Sequence, residues 1–246
     1  MFSTRRHKIL NMNFYRIADL NVILQCEKTT ERNAKKYLSG KFEKADIEIV
    51  STKHDIEARA SKHNLQYDNA AYLIEGQEFY IKLLDFNGIY LHASAVVVDG
   101  LAYLFSAPSG TGKSTHTEQW LKLFGERAFI INDDKPAVRV LNDGIFVFGT
   151  PWSGKHDISV NTKAKLQGIC FLERGEVNEI SIMPTQKAII RLLHASLHKL
   201  SKENMQKELA IISTVIENVP IYQMKCLPDI DSAKISYEIM SKKELK

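Results

Sequence analysis

Hydrophobic and polar positions are ordered most sharply from residue 88 onward. "GIYLHASAVVVDGLAYLFSA" (88–107) reads as two apolar strands separated by Asp99-Gly100, a dipeptide suited to a tight hairpin because both of its positions tolerate positive φ. After a polar stretch, "STHTEQWLKLFG" sets Thr117, Trp120, Leu121 and Phe124 at helical spacing and ends at Gly125, a C-cap signal. "RAFIIN" follows as a strand, then "PAVRVL" and "GIFVFG" as a pair around Asn142-Asp143-Gly144, then a polar loop to about residue 164. "LQGICFLER" and "EISIMP" add two strands. Residues 185–198 and 202–218 read as amphipathic helices. The first has Ile189, Leu192, Leu193 and Leu197 on its apolar face, the second Leu209, Ile212, Val215 and Ile216. "PIYQMKC" is a final strand before a C-terminal helix, "DIDSAKISYEIMSKK".

The N-terminal third is less regular. Residues 13–26 have strand-like density of β-branched and aromatic residues, "TTERNAKKYLSGKFEKA" is helix-like and charged, and 51–69 are polar without a strong period. The expected organisation is a small N-terminal α+β portion (1–85), read as packing scaffold, and a larger main domain (86–246). An all-parallel doubly wound sheet would need a helix between most strands, whereas this order is rich in hairpin connections. The fold class expected is therefore α/β with a mixed, largely antiparallel sheet and helices packed around it.

Composition narrows the partners. Hydrophobic residues make up 44% and charged residues 25% of 246, ordinary for a globular chain. The 33 basic and 29 acidic residues leave +4, and "TRRHK" (4–8) is a short cluster suited to a solvated terminus, so no nucleic-acid partner is expected. Cys26, Cys170 and Cys226 are odd in number and far apart, which argues against a disulfide framework or a cysteine zinc site. No apolar stretch has membrane-spanning length and the start lacks a signal-peptide h-region, so the expectation is a cytoplasmic protein with no membrane partner. Met12 offers an alternative start, with 1–11 an upstream extension.

The chemistry centres on "APSGTGKST" (107–115), between an apolar strand and a helix. A glycine-rich turn in that setting points successive backbone N–H groups at a phosphate, and the helix N-terminus adds partial positive charge. The phosphate-contacting set is Ser109, Gly110, Thr111, Gly112, Lys113, Ser114 and Thr115. In it Lys113 reaches the β- and γ-phosphates and Ser114 offers a hydroxyl to Mg²⁺. Ala107 replaces the usual first glycine, tolerable if its φ is strand-like. About 20 residues beyond Lys113, the strand "AFIINDD" ends in Asp133 and Asp134, a pair suited to a metal and to proton abstraction, although Asn-Asp-Asp-Lys-Pro is also good turn sequence. His92, read as lying inside an apolar strand, neighbours the strand that feeds the loop. His116, directly after the loop, is expected to face the nucleotide edge or solvent. His194 and His198, four apart on a helix, form a chance pair rather than a metal site, because no Glu-x-x pattern joins them.

The combination "LHASAVVVDGLAYLFSAPSGTGKST" followed by "IINDD" resembles the core of the phosphoenolpyruvate-carboxykinase-like P-loop fold, and in length and pattern the catalytic domain of HPr kinase/phosphorylase. It covers about residues 88–140, roughly a fifth of the chain. His92-Ala93-Ser94-Ala95 also echoes the His-x-Ser-Ala strand of ATP-dependent phosphoenolpyruvate carboxykinase. The resemblance implies an ATP-dependent kinase using Mg²⁺, with Lys113 on the phosphates and Ser114 on the metal. Asp133 would be the base, Asp134 a metal ligand and His92 the bridge between them, the two aspartates being able to exchange roles. The acceptor implied is a hydroxyl, a serine first, on a protein, peptide or small molecule. HPr kinases form hexamers, so a homo-oligomer is among the expectations.

The chain departs from those families in three respects. It is too short for a full carboxykinase, has no match to that enzyme's dicarboxylate-binding arginines, and has no segment matching the one associated with HPr recognition. In their place stands "GTPWSGKHDISVN" (149–161), where Trp152, Lys155 and His156 would supply a stacking face and cations to a loop closing on the acceptor, with Lys155 neutralising charge during transfer. The opposing reading has Trp152 tucked into the core. An ATP-binding regulator without fast turnover, or a carboxykinase-like lyase, are the rival functions.

Overall fold

The computed structural model describes residues 13–108, 110–154, 156–196 and 199–242. The expectations for residues 1–12, Ser109, Lys155, Leu197 and His198 lie outside the described residues.

The chain opens with β1 (Asn13–Ile17) and β2 (Leu20–Gln25), an antiparallel pair, followed by α1 (Lys28–Ala34). Only this first part of the charged stretch is helical, because a single short turn at 35–37 follows it and the chain then runs on to β3 (Ile47–Val50). β3 pairs parallel to β2, closing a three-stranded sheet. The polar stretch without a period contains α2 (Lys53–His63), capped by the Thr52 hydroxyl accepting from Asp55 N–H. α3 (Tyr67–Leu83) then buries Phe79, Tyr80 and Leu83 against the small sheet.

The rest builds a nine-stranded sheet. Its strands are β4 (Gly88–Tyr90), β5 (Ala93–Val98), β6 (Leu101–Ser106), β7 (Ala128–Asp134), β8 (Ala137–Leu141), β9 (Gly144–Phe148), β10 (Lys163–Arg174), β11 (Glu179–Ile182) and β12 (Ile221–Cys226). Among them pack α4 (Lys113–Phe124), α5 (Thr185–Ala195), α6 (Lys202–Asn218) and α7 (Ile230–Met240). The order runs β4-β8-β9-β10-β6-β5-β7, with β12 also on β10 and β11 on β12. Only β10–β6 and β10–β12 are parallel, so the sheet is mixed and largely antiparallel, as the hairpin-rich sequence predicts. The Asp99-Gly100 turn has φ of 49° and 80°, the positive values its sequence favours.

Two faces of the sheet are covered. Ala95, Val97, Leu104, Ile169 and Phe171 point to Leu192, Ile212 and Val215 of α5 and α6. Their neighbours Val96, Tyr103, Phe105, Cys170 and Leu172 point to Trp120 of α4 and to Ala233 and Met240 of α7. This period-two split is why β5 is buried at all six positions and reads as a continuous apolar run. On α6 the buried face is Glu208, Ile211, Ile212 and Val215, while Leu209, expected inside, is exposed.

Candidate functional site

The glycine-rich loop leaves β6 at Ser106 and enters α4 at Lys113. Gly110 and Gly112 have φ of 75° and 118°, conformations that residues with side chains rarely adopt, and Gly112 caps α4. Thr111 N–H donates to Pro108 O at 3.2 Å and closes the turn. Ala107 is buried, and its carbonyl accepts from Lys113 Nζ at 2.9 Å. Burial lowers the Lys113 pKa, against the opposing pull of Asp134 and Asp133. Thr117 anchors the first turn of α4 to β5 through Ser94 Oγ, 3.3 Å away. Ser114 and Thr115 are exposed on that turn.

The antiparallel register of β5 and β7 sets Ser94 opposite Asp133 and Ala93 opposite Asp134, at the same end of the sheet as the loop. His92 is not inside a strand. The apolar run divides into β4 and β5, which pair with different neighbours, and His92 sits in the bend between them. Its backbone is pinned there, since His92 N–H donates to Ala195 O and Ser106 Oγ donates to His92 O. The bend brings His92 Nε2 to 3.0 Å from Asp134 Oδ1, and Lys135 Nζ lies 2.8 Å from Asp134 Oδ2. Asp134 itself has φ of 97°, an uncommon value for a non-glycine residue. The Asn132 side chain closes this turn, accepting from Lys135 N–H and donating to Thr150 O. Burial acts to raise the Asp134 pKa, but the hydrogen bond from His92 and the charge of Lys135 outweigh it and hold the carboxyl well below the usual carboxylate range. Asp133 is half-buried and, among the described residues, has no ion-pair partner.

The expected stacking face on the 149–161 segment is overturned. Trp152 is 1% exposed and stacks on Phe79 of α3, with ring centroids 4.9 Å apart. The segment is held against β7 instead: Val160 N–H donates to Ile131 O and Asp133 N–H to Ile158 O. His116 does not face solvent, although it borders the cavity beside Gly110, Thr111 and Thr115. It is buried between α4 and α7, its ring nitrogens facing Ser236 Oγ at 3.2 Å and Ser232 Oγ at 3.3 Å, and burial pushes its pKa down to about 4.

Two cavities flank the loop. One, of about 380 Å³, is bounded by Gly110, Thr111, Thr115, Arg174, Leu227 and Pro228. The other, of about 140 Å³, is bounded by His92, Ala107, Pro108, Phe171, Arg191 and His194. Arg174 and Arg191 escaped the sequence reading. Arg174 Nη2 donates to Gly110 O at 2.7 Å, because the parallel β6–β10 register carries the end of β10 past the loop. Arg191 pairs with Glu173 at 3.2 Å. The only signal was charge at the end of an apolar strand and on the polar side of a helix. Among the described residues no three His, Cys, Asp or Glu side chains form a metal-holding group, and no helix is long and apolar enough to cross a membrane.

No protein-family model matches the chain, and no curated protein matches it. Among solved structures, it is similar to the Hpr(Ser) kinase/phosphatase from Coxiella burnetii at 13% identity, with a TM-score of 0.35 over 62% of this chain and 97% of that one.

Proposed function

We propose that the protein is an ATP-dependent phosphotransferase of the HPr kinase-like type. It would move the γ-phosphoryl group to a hydroxyl, a serine first, of a protein, peptide or small molecule. The observation that carries this reading is the meeting of three sequence-distant pieces: Lys113 on the glycine-rich loop, the Asp133-Asp134 pair, and His92 against Asp134.

In this reading the loop amides from Gly110 to Thr115 and the start of α4 hold the phosphates, with Ser109 completing the set, and Lys113 Nζ turns from Ala107 O to the β- and γ-oxygens. Ser114 and Asp134 would hold Mg²⁺, which when bound neutralises charge on the β- and γ-phosphates. The donors fit: one exposed hydroxyl and one carboxylate kept ionised suit an ion that takes its remaining ligands from phosphate and water. Asp133, free of the cations that clamp Asp134, is the base that accepts the acceptor's proton. Lys155, from the neighbouring segment, would neutralise charge as transfer proceeds. The smaller N-terminal portion, 1–85, would serve as substrate-side scaffold to the nucleotide-binding part, 86–246.

Calorimetric titration with ATP and Mg²⁺ tests the nucleotide half. Binding should be saturable and about tenfold or more weaker in Lys113→Ala. Equal affinity in the two proteins would overturn it.

A further inference from the structure

A third cavity, of about 490 Å³, opens between α2, α3 and the nine-stranded sheet. Its size suits a small organic ligand or a few peptide side chains. Arg59, Lys62, His63, Lys135 and Lys199 line it, and among the described residues no carboxylate does. Among the described residues Lys62 and Lys199 have no ion-pair partner. The wall is aromatic, with Tyr72, Tyr80 and Trp152 contributing. Trp152 is 1% exposed and its indole N–H is buried without a hydrogen-bond partner among the described residues. The indole packs directly on Gly76, where a Cβ would stand 2.7 Å from Cδ1 and 3.0 Å from Nε1, so the missing side chain makes room for this wall of the cavity.

The cavity also touches the site. Lys135 lines it while its Nζ sits 2.8 Å from Asp134 Oδ2, and the Tyr72 hydroxyl accepts from Ser153 N–H of the segment packed on β7. We infer that this cavity is the acceptor subsite, and that the acceptor carries a carboxylate, held by Lys62 and Lys199 over the aromatic wall while its hydroxyl faces the aspartate pair. The inference rests on the kinase reading for the word acceptor. The anion selectivity rests on the cavity alone.

The test uses matched acid and amide probes with the full chain. One pair is 3-phenyllactate against 3-phenyllactamide; the other is Ac-Phe-Ser-Asp-Glu-NH₂ against Ac-Phe-Ser-Asn-Gln-NH₂. In at least one pair the acid should bind about tenfold or more tightly by calorimetry. Preference confined to the first pair assigns a small hydroxy acid, and to the second an acidic peptide. In the Lys62→Gln/Lys199→Gln double variant, with an unchanged circular dichroism spectrum, the preference should fall below about threefold while affinity for ATP and Mg²⁺ stays at the wild-type value. No preference in either pair, a preference that survives in the double variant, or displacement of the acid by equimolar inorganic phosphate would overturn the inference. Acid preference in a protein that does not bind ATP would keep the anion pocket and remove its role as acceptor subsite. Phosphoryl transfer to a hydroxyl without acid preference would remove the pocket inference and leave the kinase reading standing.

Discussion

His92 Nε2 and Asp134 Oδ1 stand 3.0 Å apart because the chain bends between β4 and β5 and turns through positive φ at the end of β7. Neither feature belongs to a regular strand. The contact sets the imidazole beside one carboxylate of an adjacent pair and leaves the other without an ion partner among the described residues. In the proposed reaction His92 is a positioning residue. His92→Gln should lower the rate of phosphoryl transfer about 10- to 100-fold, the usual range for losing a group that orients a ligand carboxylate, with ATP affinity nearly unchanged. A parallel loss of ATP affinity would assign His92 to nucleotide binding instead.

His116 gives a pH dependence of stability. Its pKa is about 4 in the folded chain against 6.5 for the free side chain, because burial disfavours the charged ring more than Asp229 favours it. Between those values the unfolded chain binds more protons, so the stability is present above pH 6.5 and is lost as pH falls toward 4. The loss is about 2 kcal/mol by pH 5 and about 3 kcal/mol over the whole window. Urea midpoints at pH 7 and pH 5 should separate more in the wild type than in His116→Gln. Equal separations would contradict the account of this buried ring.

Glu75 works with the opposite sign. Burial in α3 raises its pKa from 4.5 to about 7, and the nearby Thr30 hydroxyl and the hydrogen bond from Glu27 N–H recover only part of the cost. The folded chain binds more protons between those values, so this contribution is full below pH 4.5 and is lost as pH rises through 7. Glu75→Gln keeps an acceptor for Glu27 N–H and removes the buried charge. At pH 8 it should be more stable than wild type by about 1–3 kcal/mol in a thermal melt. A lower melting temperature at pH 8 would contradict this.

Gly149 starts the segment that packs on β7, and a Cβ there would lie 1.9 Å from Val160 O and 2.8 Å from Ile131 O. Both are backbone atoms, so no side-chain rotation relieves the clash. Gly149→Ala should cost about 3 kcal/mol and displace the backbone bonded to Asp133 N–H. Chemical denaturation gives the cost directly; a change under about 1 kcal/mol would show that the segment yields.

Much of this architecture is legible in the sequence where local rules act alone. Asp99-Gly100 and Gly125 announce their turn and cap, and the strand–loop–helix order around Gly110 and Gly112 is visible without coordinates. The misses come from long-range partners. α2 carries few regularly spaced apolar residues, and α3 interrupts its buried face with Glu75 and Gly76 while Leu73, Ile74 and Ile81 lie off it, so no clean period marks them. His116 is buried because Ser232 and Ser236 of α7 meet it. Trp152 leaves the surface because Gly76 and Phe79 make room for it on α3. His92 lies in an unbroken apolar run, and its bend follows from β4 pairing with β8 while β5 pairs with β6 and β7.

The central claim is phosphoryl transfer with Asp133 as base. The most direct measurement is incubation of the wild type and Asp133→Asn with γ-labelled ATP, Mg²⁺ and serine-bearing acceptors, with ATP affinity measured alongside. The account predicts label on an acceptor hydroxyl in the wild type, and in Asp133→Asn a loss of about a hundredfold or more with ATP affinity retained. Transfer by Asp133→Asn at a rate near wild type would contradict the base assignment, and tight ATP binding without transfer to any acceptor would contradict the kinase reading itself.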